Sequence, residues 1–275
     1  MTANTLMQGK TVLITGATDG IGRETARQLA AMDARVIVHG RSAEKAALVK
    51  KDIIADTSND KLETAIADLS VMGNVRALAD EITDRFDRLD VLINNAGVYL
   101  TEYIETADGF EKTFAVDHLA PFLLSNLLLP LLKASAPARV ITVSSVVHGS
   151  ARVDLDNLNA EKRFHGWGAY CLSKLGNLLF TFELARRLKG SGVTANALHP
   201  GTVNTKMLEK LGMQGKPVTE GAATSVFLAS SPDVAGISGK YFSQKRIAKP
   251  SEAALDRELQ LKFWDRSTEM VSLAS

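Results

Sequence analysis

One cysteine, Cys171, in 275 residues rules out an internal disulfide and fits a reducing compartment. Its position beside Tyr170 in a helical stretch points to packing rather than reactivity. The 32 basic and 31 acidic residues leave a formal net charge of +1, with no basic cluster, so the electrostatic footprint of a nucleic-acid partner is missing. No window reaches the length of apolar chain needed for a membrane span; the best run, Phe122 to Leu132, is short and contains Pro130. Met1 to Gln8 holds no apolar segment of signal-peptide length, so a cytoplasmic location is the expectation. Histidines, acids and the cysteine do not fall at ligand spacing, and no metal site is expected. No repeat, low-complexity tract or linker divides the chain, which reads as one domain over 1–275.

What is present is an alternation of short apolar runs with helical stretches, which indicates a doubly wound α/β sheet of parallel strands with helices on both faces. Lys10 to Thr15 is a short apolar, β-branched run that stops at Gly16-Ala17-Thr18-Asp19-Gly20-Ile21-Gly22 and leads into a helix through about Met32. Glycines there allow a tight turn, and amides at a helix N-terminus can meet a diphosphate. The spacing is G-x-x-x-G-x-G, not the standard dinucleotide fingerprint, so a plain structural turn stays open. Arg35 to His39 is a second strand, and its tip carries Arg41 but no acid, which favours NADP over NAD. Asp19 counts against this if its charge points at the phosphate, and Ser42 reads as an N-cap for the next helix.

Leu62 to Ala67 reads as a third strand, with Asp68-Leu69-Ser70 capping the following helix. Asp68 either bonds an adenine amino group or is a helix-entry acid. Leu89 to Ile93 runs into Asn94-Asn95-Ala96-Gly97, and Arg139 to Val143 ends at Ser144-Ser145. Val193 to Leu198 is followed by His199-Pro200-Gly201-Thr202-Val203-Asn204-Thr205, and Lys240 to Ser243 is a short last strand. His148 and His199 read as structural or phosphate-proximal groups.

Tyr170 and Lys174 stand four residues apart at the head of a helical stretch and share a face. A free phenol has a pKa of about 10, and a neighbouring ammonium lowers it toward use as a general acid or base. Alone, such a pair also fits a half-buried tyrosine beside a surface lysine.

Together, Thr15-Gly16…Gly20-Ile21-Gly22, Asp68-Leu69, Asn94-Asn95-Ala96-Gly97, Ser145, Tyr170…Lys174 and Pro200-Gly201 resemble the short-chain dehydrogenase/reductase family in order and spacing. The stretches His165 to Leu175 and Ser238 to Phe242 resemble its retinol-dehydrogenase-like branch. The resemblance implies a Rossmann-type fold and an NAD(P)-dependent exchange of alcohol and carbonyl. In it Tyr170 moves the proton, Lys174 lowers the tyrosine pKa and binds the nicotinamide ribose, and Ser145 holds the substrate oxygen, with Ser144 as the competing serine. The cofactor would lie along Gly16, Thr18, Asp19, Gly20, Ile21 and Gly22, then Arg41, Asp68, Leu69, Asn94, Ala96 and Gly97. Tyr170, Lys174, Pro200, Gly201, Thr202, Val203 and Thr205 would complete its site. NADP(H) is the preferred cofactor and NAD(H) the alternative.

One position departs from the family's pattern: Asp117 stands where the resemblance expects a catalytic asparagine whose carbonyl holds a water leading to the lysine. Pro121, four residues on, has no N–H and would free that carbonyl. Substrate contacts are expected from the loop Val98 to Tyr103, from Phe164, His165 and Trp167, and from a lid over about 204–218 with Met207, Leu208 and Leu211. These suit a lipophilic alcohol or carbonyl. The tail, Ser251 to Leu273, reads as one amphipathic helix with Leu255, Leu259, Phe263 and Met270 inward. A homodimer through the helices carrying Asp117 and Tyr170 is what the resemblance implies. The rival reading is a non-catalytic dinucleotide sensor on the same fold, for which intact Tyr170 and Lys174 would be superfluous.

Overall fold

The computed structural model describes residues 6–210 and 212–273, with side chains for all of these but Lys210; Leu211 of the expected lid lies outside the described residues. The strands are β1 (Thr11–Ile14), β2 (Arg35–Gly40), β3 (Leu62–Ile66), β4 (Val91–Asn94), β5 (Ala138–Val143), β6 (Val193–His199), β7 (Tyr241–Ser243) and β8 (Arg246–Ile247). They form one sheet in the order β3-β2-β1-β4-β5-β6-β7-β8. Strands β1 to β7 pair in parallel, and β8 turns back antiparallel on β7, a short edge strand that the sequence pattern did not show.

Helices α1 (Gly20–Ala30), α2 (Ala43–Thr57) and α9 (Val218–Ser230) cover one face. Helices α3 (Met72–Arg85), α4 (Lys112–Phe114), α5 (Ala120–Leu127), α6 (Leu129–Ala134) and α7 (Gly166–Arg187) cover the other. With both faces covered, β1 and β4 are buried along their whole length, which is why they read as continuous apolar runs instead of alternating ones. The strand order reverses between β1 and β4, and an open parallel sheet presents its ligand crevice at such a switch point.

Local boundaries follow the caps. Ser42 accepts the Lys45 amide at 3.3 Å and starts α2, as its position suggested. Asp68 does not cap α3; the helix begins at Met72, whose amide donates to the distant Asp108 carboxylate at 2.6 Å. The tail is two helices, α10 (Glu252–Leu255) and α11 (Arg257–Met270), because Ser251 and Asp256 each act as an N-cap. Leu255, expected inward, is 49% exposed, whereas Trp264 is buried. Helix α11 lies on α7, with Phe263 and Trp264 packed edge-on against His118 and Phe122. The tail thus covers part of α7.

Candidate active site

A cavity of ≈ 1110 Å³ opens along the C-terminal tips of the central strands. At one end lies the loop between β1 and α1. Gly16 has φ of 64°, and a Cβ on it would sit 2.8 Å from Ala96 Cα, so only glycine lets the loop close on the tip of β4. Thr15 Oγ1 accepts the amides of Asn95 and Ala96, both at 3.0 Å, while the Asn95 side chain donates to the Thr15 carbonyl at 2.8 Å. The latched loop presents Gly16, Thr18, Asp19, Gly20, Ile21 and Gly22 to the cavity beside the N-terminus of α1, where amides and helix dipole favour an anion. His39, buried below, accepts the Gly16 amide at Nδ1, and burial pushes its pKa down to about 4, so it is neutral and braces the loop.

Asp19 caps α1 through the Gly20 amide at 2.9 Å, and its second oxygen pairs with Lys206 of α8 (Lys206–Lys210). The Lys206 bond holds the Asp19 carboxyl below its usual range against the opposing effect of partial burial. The charge that counted against phosphate binding is therefore answered by a cation across the cavity mouth. Arg41, Ser42, Lys45 and Arg23 line the same end. Lys45 was not anticipated, although its place one turn inside α2 puts it within reach of the strand tip. Asp68 accepts from the Ser70 amide at 3.0 Å and the Ser70 hydroxyl at 2.8 Å, and lines the cavity with Leu69. Burial works against its charge, but those two bonds, with Arg41 and Lys112 nearby, hold its carboxyl low.

Ala96 and Gly97 line the cavity, but Asn94 does not; it is buried and donates to Ser125 of α5 at 2.9 Å. Neighbouring residues at a strand end point opposite ways, so the cavity-facing amide is Asn95. Pro200, Gly201, Thr202, Val203 and Thr205 line the far wall after β6.

Tyr170, Lys174 and Ser145 meet at the other end. The first turn of α7 is capped by His165, whose Nδ1 accepts the Gly168 amide at 3.2 Å, so His165 is a cap and not a substrate contact. Tyr170 is half-buried with its ring 5.1 Å from Lys174 Nζ. Ser144 is buried with its hydroxyl donated to the Lys174 carbonyl at 2.7 Å, leaving Ser145 as the more open serine. Cys171, one residue from Tyr170, is fully buried, and burial pushes its thiol up to about 11, as a packing residue requires.

Asp117 lies in a π turn, Ala115–Leu119, closed by the Ala120 amide on the Ala115 carbonyl, with Pro121 in the first turn of α5. A missing N–H at 121 interrupts the α-type ladder at the point where the wider turn forms. The Asp117 side chain is fully buried and does not line the cavity. One oxygen accepts the Val98 amide at 2.7 Å, and the other pairs with Lys174 Nζ at 2.7 Å. A Cβ on Gly97 would stand 3.0 Å from Asp117 Oδ2 and 3.2 Å from Lys174 Nζ, so glycine at 97 makes room for the pair. Burial raises the Asp117 carboxyl; burial opposes charge on Lys174, but Asp117 outweighs it and raises the lysine. Tyr170 is raised by burial; Lys174 pulls it down and Asp117 pushes it up. Lys174 thus acts in the expected direction, and burial outweighs it. The Asp117 carboxylate offsets part of that pull.

Val98, Tyr99, Val146, Val147, Trp167, Met207, Leu208 and Met213 give this end apolar walls. The Tyr99 ring stands edge-on to Tyr170 at 5.7 Å and to Trp167 at 6.4 Å. Phe164 and Tyr103, expected here, instead pack on each other at 5.6 Å and do not line the cavity. Among the described residues, no group of three or more histidine, cysteine or acidic side chains could hold a metal ion.

Comparison with known proteins agrees with this geometry. The family described as short chain dehydrogenase matches residues 10–215. Mouse "Retinol dehydrogenase 14" is 42% identical over 98% of this chain and 87% of its own length. Among solved structures, an uncharacterized protein from Mycobacterium paratuberculosis superimposes with a TM-score of 0.83 at 34% identity, covering 97% of this chain and 94% of that one. The Pseudomonas aeruginosa RhlG/NADP active-site complex has a TM-score of 0.73 at 28% identity, covering 88% of this chain and 97% of that one.

Proposed function

The chain belongs to the short-chain dehydrogenase family and is an NAD(P)-dependent oxidoreductase of alcohols and carbonyls, and on that premise we propose an NADP(H)-preferring enzyme with Tyr170 as its acid–base group. The observation that carries the reading is the shared cavity: Tyr170, Lys174 and Ser145 stand at one end and the glycine loop, Arg41 and Lys45 at the other. The latched glycine turn and the α1 N-terminus fit a diphosphate, and Arg41 with Lys45 fit a ribose 2′-phosphate. The RhlG complex, which contains NADP, supports that choice.

When bound, the nicotinamide supplies the hydride for reduction or takes it up in oxidation. In reduction the substrate carbonyl oxygen accepts a hydrogen bond from Ser145, and Tyr170 Oη gives it a proton as the C=O double bond becomes single. In oxidation the phenolate takes the hydroxyl proton. Lys174 keeps a positive charge beside the phenol and has donors left for the ribose hydroxyls. Asp117 touches neither substrate nor cavity, so it is a positioning residue for Lys174 and not a catalytic one. Burial and Asp117 hold the phenol above its ordinary pKa against the pull of Lys174, so at neutral pH Tyr170 carries the proton it donates in reduction.

The walls formed by Tyr99, Trp167, Val146, Met207 and Met213 support a lipophilic substrate, and the name of the mouse relative makes retinal the first carbonyl to test. The lone buried Cys171 supports a reducing, cytoplasmic setting. The test is a titration with NADPH and NADH followed by reduced-nicotinamide fluorescence, then a carbonyl screen with the tighter cofactor. Tighter binding of NADPH supports the reading; preference for NADH removes Arg41 and Lys45 from the account.

A further inference from the structure

Two buried histidines outside the acid–base group connect the C-terminal tail to the elements that carry it. His148 stands three residues after Ser145, in the 3₁₀ turn Val146–Ser150 that Ser145 caps. Its Nδ1 is 2.6 Å from the Ser145 carbonyl oxygen, and its Nε2 is 3.0 Å from the backbone nitrogen of Ser251, the cap of α10. A carbonyl only accepts and an amide only donates, so Nδ1 carries the proton and Nε2 the lone pair. His118 follows Asp117 in the π turn, with Nε2 2.8 Å from Ser267 Oγ of α11. Ser267 Oγ also lies 2.7 Å from the Phe263 carbonyl, so this one hydroxyl ties the His118 ring to the backbone of α11. The His148 ring is thus fixed as the Nδ1–H tautomer. Burial supports neutrality in both histidines, pushing His118 down to about 3 against the opposing bond to Asn177 and lowering His148 against the opposing bond to Ser145.

We propose that the C-terminal tail positions the catalytic residues through these histidines, His148 holding the Ser145 turn and His118 holding the π turn that carries Asp117. The Ser145 carbonyl takes the His148 ring donor as well as the His148 amide at 3.2 Å, which fixes the peptide plane and with it the direction of the Ser145 side chain. At the other anchor, Phe263 lies 4.9 Å from the His118 ring and against Gly176 of α7, where a Cβ would come within 2.8 Å of both. Seating the tail therefore sets the serine, the π turn and α7 together. This rests on the oxidoreductase reading above, because its consequence is for turnover.

The test has three readouts on the full chain. Long-range proton–nitrogen spectra of histidine-labelled protein at neutral pH, assigned through single substitutions, should show both rings neutral and His148 as the Nδ1–H tautomer. An Nε2–H tautomer at His148 or an imidazolium at either site overturns the proposal. Kinetics then separate the halves of the link. His148→Asn keeps a donor toward the Ser145 carbonyl and loses the acceptor for Ser251; His148→Gln does the reverse. Expected are losses in kcat of roughly 3-fold for Asn and roughly 30-fold for Gln, with KM for NADPH unchanged, since small misplacement of a catalytic group is felt in kcat. Equal losses in both variants, or none, overturn the positioning role. If the wild type turns over no carbonyl, the oxidoreductase reading fails, and the His148 tautomer together with amide exchange at 145–150 decides the tail's role. Exchange there should rise in His148→Gln, and unchanged exchange would overturn the link.

Discussion

Asp117 closes an ion pair on Lys174 at 2.7 Å where neither group meets bulk water: the carboxylate side chain is 0% exposed and the lysine 5%. A buried pair of this kind tunes its neighbours more than it stabilises the fold, since desolvation offsets much of the attraction. Here the neighbour is Tyr170, and the carboxylate works against the lysine's pull on the phenol.

Replacing Asp117 with asparagine should therefore lower the Tyr170 pKa. A general acid must be protonated, so reduction falls as pH rises through that pKa, and in Asp117→Asn the fall should begin at lower pH. Oxidation, which needs the phenolate, should gain at neutral pH for the same reason. The pH–rate profiles of both directions check this. A shift the other way would mean that Lys174, left buried without its carboxylate, gives up its proton. Asp117→Ala, which removes the Val98 contact as well, should cost about 3–5 kcal/mol in denaturant unfolding.

Arg41→Ala and Lys45→Ala should each weaken NADPH binding by roughly 10-fold and leave NADH binding within about 2-fold. The reason is that a charge-assisted bond to phosphate is worth about 1.5–3 kcal/mol and NADH has no 2′-phosphate to receive it. Fluorescence titration of the two cofactors reads both numbers. An equal loss for both cofactors would place these side chains elsewhere than at a 2′-phosphate.

Lys206 and Asp19 are exposed, so their bridge adds little to stability, and Lys206→Ala should leave Tm nearly unchanged. The same substitution should raise the Kd for NADPH a few-fold, because the unanswered Asp19 carboxylate then faces the phosphates. Asp19→Ser, which preserves a cap on α1, should restore binding in the Lys206→Ala background. Failure of that rescue would show that the lysine acts on the cofactor directly.

The sheet, its order of elements and the glycine-loop end of the cavity were legible in the sequence because each depends on short local patterns. Apolar runs that stop at glycine mark the buried strands, and the glycine loop follows the first of them. What was not legible depends on contacts between distant segments. Asp117 stood out as a departure, yet nothing local shows that it would reach Lys174, 57 positions on, across the room left by Gly97. Asn94 and Asn95 are adjacent and chemically the same, and only the direction of the strand end decides that Asn95 faces the cavity. Asp68 looked like a cap for α3, but Asp108 supplies it from a loop after β4. His165 is expected as a substrate contact from its place before Tyr170, but only the start of α7 at Gly166 makes it the cap. The tail's break at Asp256 was written in the caps Ser251 and Asp256, and the apolar stripe running through both helices concealed it.

The most direct test of the account is carbonyl reduction by NADPH in the wild type and in Tyr170→Phe, with NADPH binding measured on the same preparations. Loss of the phenolic proton should reduce kcat by about 10²–10⁴-fold while NADPH affinity stays within about 2-fold. Undiminished turnover in Tyr170→Phe would contradict the central claim that this tyrosine, beside a lysine paired with Asp117, delivers the proton.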